Sequence, residues 1–323
     1  MRVQLAPELP SSAWLDLCWH GLALLPLPAG DAASLYDPRY IAWTNQYLQP
    51  QARTLPTDAA TLAHWLARAP HGHWLHALPQ LHSSVEEFAE QARRPFGEVR
   101  WADPQRQRLA QALERALPAE LIEVFRAGLW GELRAGYLGV RDQHVEQRLA
   151  AQRAQLSDDL GILAQHFAAV QRVQWRASHP LRRHGRLFRG EPQPTIAIGI
   201  PDPELQLPRF APVLQGWHEL VLLHVLRTLP ALGSADPRAG TPGHAAHQQA
   251  ERWALTLGAR LLAVPELLVS QGDWLRWVLR RVPAAQGADA GAWLASGALL
   301  PGSSASEIDA LAEEVARSLR SAT

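Results

Sequence analysis

Apolar residues recur at helical spacing along most of the chain. Ser11-Ser12 precedes Trp14 and caps a short helix running to about Leu25, where Pro26 and Pro28 stop it. Asp37-Pro38 opens a segment with Tyr40, Ile41, Trp43, Thr44, Tyr47 and Leu48 at helical intervals. Thr57-Asp58 caps a helix that carries Leu62, Trp65 and Leu66 and ends at Pro70. The stretch His71 to His82 reads as loop at both ends, and Ser83-Ser84 starts a helix reaching about Arg94. The longest helical signal runs from Asp103 to about Val173, reset at Pro118, loosened at Gly136 and Gly139, with a fresh N-cap at Ser157.

Beyond it, Arg176 to Arg189 reads as a basic, irregular loop. Pro194 to Pro201 is the one convincing strand, expected as an isolated extended segment. Helices follow over Val213–Leu229, about Ala245–Val264, from Pro265, around Trp274–Arg281, and from Ser306 to Leu319. Pro230 to Gly243 reads as a loop and Gly287 to Ser304 as a weak linker. The pattern predicts an all-α fold: a multi-helix globular bundle with at most one short isolated strand or hairpin. A single domain is expected over 1–323, with an N-terminal subregion 1–100, a helical core 101–285 and a tail helix 286–323.

Composition narrows the chemistry. All 31 basic residues are Arg, so no Schiff-base Lys and no P-loop Lys is possible. One Cys excludes a disulfide framework and any Cys-based zinc or iron–sulfur site within the chain. A formal net charge of zero predicts no bulk attraction to nucleic acid or to anionic membranes. No apolar run is long enough to span a bilayer, and Met1-Arg-Val-Gln-Leu-Ala-Pro lacks a signal-peptide pattern, so a cytoplasmic protein is expected. Thirteen Trp and 14 His are high counts. They predict either a Trp-padded core with surface His or an aromatic pocket around a metal or haem centre.

Two histidine groups carry the candidate chemistry. In His71-Gly72-His73-Trp74-Leu75-His76, followed by His82, the pair His73 and His76 shares a face if the turn is helical. Such a pair suits a divalent metal or a catalytic base, with Glu86 or Glu219 as acids from elsewhere. The second group is Trp217-His218-Glu219 followed by His224. It invites comparison with the zinc pattern H-E-x-x-H, but that pattern needs His at i and i+4, about 40° apart around the helix. His218 and His224 are six apart, about 120° around and roughly two turns along, so one zinc is not shared between them. Both lie on a helix of Leu and Val, and a buried His needs a hydrogen bond, a metal or haem iron. Cys18, among Leu, Trp and His, reads as a buried inert thiol.

Trp217-His218-x-x-x-Leu222-x-His224-x-Leu226, a loop, and Gly240-Thr241-Pro242-Gly243 resemble the C-terminal signature of the histidine-ligated haem aromatic oxygenases, the superfamily of tryptophan and indoleamine 2,3-dioxygenases. The resemblance implies haem b with His218 on the iron and His224 and Trp217 at the cofactor. It implies an indole- or phenol-type substrate held by Gly240, Thr241, Gly243 and Arg227. His73 and His76 would act as distal catalytic groups. Pro242 departs from the family's Gly-Thr-Gly-Gly loop, and the match covers about a tenth of the chain.

Three expectations therefore stand side by side. One is a haem-dependent oxygenase acting on a small aromatic compound. Another is a non-catalytic helical adaptor or structural subunit that binds a protein partner, or a second copy of itself, through an exposed apolar patch. The third is a non-haem metal enzyme built on the His71–His82 cluster.

Overall fold

The computed structural model describes residues 7, 9–24, 44, 46–48, 75–181, 185–188, 193–200, 210–233, 242–262, 264–278 and 290–321. They are mainly helical, as the apolar periodicity predicts. In chain order the helices are α1 (Ala13–Leu24), α2 (Val85–Gln91), α3 (Pro104–Ala116), α4 (Ala119–Arg134), α5 (Tyr137–Val140) and α6 (Gln147–His166). After a small sheet come α7 (Ala211–Thr228), α8 (Pro242–Leu261), α9 (Pro265–Val278), α10 (Ala290–Ala295) and α11 (Ala305–Arg320). Among the described residues, no helix is long and apolar enough to cross a membrane.

Local signals explain most boundaries. Asp103 caps α3 by accepting from the Gln105 amide, and Pro104 fills the first turn where its missing N–H costs nothing. Pro118 separates α3 from α4, and Gly136, at φ 99°, makes the left-handed turn into α5. A π-turn over Arg141–Glu146 then leads into α6. Ser157 does not restart the helix. It lies inside α6, and its hydroxyl donates to the Pro7 carbonyl. The expected linker 287–304 contains α10, and the C-terminal helix opens on a capping box between Ser304 and Glu307.

The expected strand is real but not isolated. Strand β3 (Thr195–Gly199) is the centre of a three-stranded sheet of order β1-β3-β2, with β1 at Gln174–Ser178 and β2 at Gly185–Phe188. β1 runs parallel to β3 and β2 antiparallel to it. β2 lies in the stretch read as a basic loop, and β1 runs into it from Gln174. Its arginines mask short strands whose alternate residues, Trp175 and Ala177, point into the core.

That sheet stands between two hydrophobic cores. The N-terminal core gathers Trp14, Trp19, Phe88, Leu113, Phe125, Leu129 and Tyr137 from α1 to α5, together with Ala197 of β3. The C-terminal core gathers Leu160, Leu163, Trp217, Leu220, Leu257 and Val315 from α6, α7, α8 and α11, together with Ile196 and Ile198. Alternate residues of one strand thus face opposite cores, as period-2 geometry requires. A near-continuous apolar sequence in β3 is what a strand covered on both faces needs.

Candidate functional site

Helix α7 is the axis of the C-terminal core. Every residue from Val213 to Leu226 is buried. It lies unusually close to the sheet. A Cβ on Gly216 would come within 2.7 Å of Ile198 Cδ1 and 2.9 Å of Trp175 Cζ3. A Cβ on Gly185 of β2 would come within 2.6 Å of Glu219 Cγ. Glycine at these two positions lets helix and sheet approach.

Four buried polar side chains sit on this helix, and each finds a protein partner. Gln215 Nε2 donates to Glu219 Oε1 at 3.2 Å. His218 Nε2 lies 2.8 Å from Glu251 Oε2 of α8. His224 Nδ1 lies 2.7 Å from the Ser318 hydroxyl of α11. Burial, reinforced by the cations Arg227 and Arg172, pushes the His224 imidazole down to about 4, so the ring is neutral at physiological pH. His218 and His224 therefore face different helices. The angular separation read from the sequence is realised, and no ion is shared between them.

The other predicted site residues disperse. Trp217 is a core anchor: its indole N–H donates to the Gly258 carbonyl at 3.0 Å, and its ring packs on Phe167 at 4.6 Å. Arg227 is exposed at the last turn of α7. Gly243 is the second residue of α8, since Pro242 begins that helix rather than closing a loop. Gly240, Thr241 and His73 lie outside the described residues. His76 falls in a 3-10 helix over Leu75–Leu81. His82 is buried against Trp14, Phe88 and Trp101, and burial pushes it down to about 4. Cys18 is buried, as expected, and burial raises its thiol pKa, which disfavours the reactive thiolate.

An axial haem ligand must offer iron a bare imidazole nitrogen beside room for a macrocycle. In His218 the outer nitrogen is taken by Glu251, and in His224 the inner one is taken by Ser318. The adaptor reading calls for a large exposed apolar patch. Among the described residues, the only exposed large hydrophobic side chains are Tyr47 and Leu268, and Tyr47 stacks on His144.

Glu251 is the residue the sequence reading missed. It stands 33 residues after His218, on the next helix. The His218-Glu219 dipeptide on an apolar helix pointed to this neighbourhood, but no spacing rule identifies an acid contributed across a helix–helix contact. The H-E-x-x-H position four after His218 is Leu222, which is buried in the core. Glu251 is 38% exposed at its side chain while His218 is 9% exposed, so the pair reaches from the interior to the surface. Among the described residues, no group of three His, Cys, Asp or Glu stands ready to hold a metal ion. Comparison with protein-family models, curated proteins and solved structures finds no match to this chain.

Proposed function

We propose that the chain is a metal-dependent hydrolase centred where α7 meets α8. His218 and Glu251 are the metal donors and Glu219 is the general base. The observation that carries this reading is the 2.8 Å contact between His218 Nε2 and Glu251 Oε2 at the rim of the core. Two donors of one tetrahedral zinc, each about 2.0–2.2 Å from it, are about 3.3 Å apart. Opening the pair by roughly half an ångström is thus enough to admit the ion. A His and a carboxylate are two of the three ligands used by His2Glu hydrolytic sites. Such an ion supplies an activated water at neutral pH.

The chain's own groups supply the rest. Glu219 follows His218 on α7, and its carboxylate is oriented by Gln215 and by the backbone of Gly185 against its stem. In H-E-x-x-H the Glu that follows the first His accepts the proton of the attacking water, and Glu219 would take that role from the same place in the sequence.

Zinc content and hydrolysis of a panel of amide and ester substrates test the proposal. One equivalent of zinc is expected in the wild type, with loss in His218→Ala and in Glu251→Gln. In Glu219→Gln the ion stays and turnover falls by about 100-fold or more. Failure of the wild type to take up zinc overturns the reading. A Soret band on haem addition that vanishes in His218→Ala puts the haem oxygenase in its place.

A further inference from the structure

Residues 9–12 run from one core to the other. Leu9 is buried in the C-terminal core. Ser12 caps α1, a helix of the N-terminal core, by accepting from the Leu15 amide. Between them the segment lies along the outer edge of β1, where the Ala177 amide donates to the Pro10 carbonyl at 3.3 Å and Ser11 bridges Ala177. The Ser11 hydroxyl accepts from Arg141 Nη2 at 2.6 Å and from Arg153 Nη1 at 3.2 Å. Arg141 Nε donates in turn to Asp16 Oδ2 at 3.0 Å, and both side chains are buried. Asp16 Oδ1 is buried without a hydrogen-bond partner, and so is Ser178 Oγ at the end of β1, although that hydroxyl is close enough to act on the Asp16 charge. A carboxylate is thus enclosed with one oxygen unserved, which costs free energy.

We propose that residues 9–12 are a clasp governed by Asp16: it closes over the protonated carboxyl and loosens when the carboxyl is ionised. Lifting Ser11 from Arg141 and from the edge of β1 lets water reach Arg141 and Asp16 together. The ionised carboxylate gains most from that water, because burial penalises its charge. A proton on Oδ1 removes the buried charge and turns the unserved acceptor into a donor beside Ser178. Burial accordingly raises Asp16 to about 6 in the closed form, against the pull of Arg141. In the hydrated open form it returns to the ordinary range near 4. The closed form therefore binds the proton more readily, and closure strengthens as pH falls from about 6 towards 4. Among the described residues, the charged and titratable groups facing this pair are Glu146 and Asp142 of the π-turn, Tyr137 of α5, Cys18 of α1 and, behind Glu146, Arg153 of α6. Glu146 pushes Asp16 in the same direction as burial does. The open form bares the edge of β1 at Ala177, the kind of edge to which an added strand pairs. The clasp involves none of the residues assigned to the metal.

Hydrogen exchange of the full-length protein tests this, with the Ala177 amide reporting on the clasp and the amides of α7 reporting on global unfolding. After correction for the intrinsic exchange rate, Ala177 protection is expected to rise about 10-fold from about pH 7.5 to about pH 5 in the wild type, with no such rise in α7. In Asp16→Asn, Ala177 protection should be the same at both pH values. Ser11→Ala, which removes the hydroxyl held by Arg141 and Arg153, should lower Ala177 protection at both. Ala177 protection that stays flat or falls towards acid in the wild type overturns the clasp. So does a pH dependence that survives in a folded Asp16→Asn, which would place the titrating group elsewhere, for instance at buried His179 beside Ser178. If Ser11→Ala leaves protection unchanged, the hydroxyl contacts hold nothing and the proposal fails. Should Asp16→Asn not fold, NMR titration of the Asp16 carboxyl in the wild type decides. A midpoint near 6 that coincides with the change in Ala177 protection is expected, and a midpoint in the ordinary range near 4 overturns the proposal.

Discussion

Among the described residues each core holds a His–Glu pair, and the two pairs have the same contact distance. His20 of α1 meets Glu132 of α4 at 2.8 Å in the N-terminal core, and His218 meets Glu251 at 2.8 Å in the C-terminal one. Their settings differ. Both members of the first pair are 0% exposed, and the His20 ring stacks on Tyr137 at 4.5 Å. One turn earlier on α1, Asp16 meets Arg141 of the π-turn at 3.0 Å, and Arg141 also binds Ser11 and Glu146. These contacts tie α1, α4 and the π-turn together. The second pair ends in a carboxylate 38% exposed. A buried pair without a route to solvent can hold elements in register, whereas exchange with an ion or substrate needs a route. Solvent access, not contact distance, separates the two pairs.

The largest expected effect is on the sealed pair. Removing one partner leaves the other buried and uncompensated, so Glu132→Ala is expected to cost about 3–5 kcal/mol in urea denaturation. Replacing both members, as His20→Leu with Glu132→Leu, should recover most of that loss. A Glu132→Ala protein as stable as wild type would show the pair to be incidental.

Next in size is the acid response, which sets a buried imidazole in each core against one carboxylic acid. His82 and His224 are both pushed down to about 4, chiefly by burial. An unfolded imidazole titrates near 6.5, so between about pH 6.5 and 4 the unfolded chain binds the extra protons and stability falls as pH falls. Each ring contributes up to about 3 kcal/mol over that window. Asp16 works the other way. Burial raises it to about 6 despite Arg141, so from about pH 6 down to 4 the folded state binds its proton more readily and gains stability. The two rings outweigh the single acid. The urea midpoint should drop as pH falls from 6.5 to 4, and His82→Gln or His224→Gln should each flatten the curve. A flat wild-type profile would mean that neither ring is held neutral.

Smallest is the effect on the exposed pair. Glu251→Gln should change stability by less than about 1 kcal/mol, because a half-exposed ion pair contributes little. The same substitution should abolish zinc binding. A large destabilisation with zinc affinity intact would make this pair a second structural lock.

How far the sequence revealed all this depends on whether the signal is local. Asp103-Pro104 announces α3, and the apolar run from Val213 announces α7, which begins two residues earlier at Ala211. The start of α8 was misplaced because Pro242 reads as loop until its neighbours prove helical, when it becomes a first-turn proline. β1 and β2 do not show in the sequence because strands of five and four residues, each with one Arg, carry almost no periodic signal, and their pairing with β3 is not local. His218 was singled out from its neighbours on one helix, but Glu251 depends on how two helices cross. Such a partner has no signature along the chain.

The division of labour within β3 has one last consequence. Ile196 and Ile198 fill one core and Ala197 the other, so a slip of a single residue would thrust a small side chain where two large ones belong and crowd isoleucine into the opposite half. Neither half can melt without exposing a face of the wall it shares with its neighbour. The two cores are therefore coupled through β3, whose pairing with β1 joins stretches about twenty residues apart.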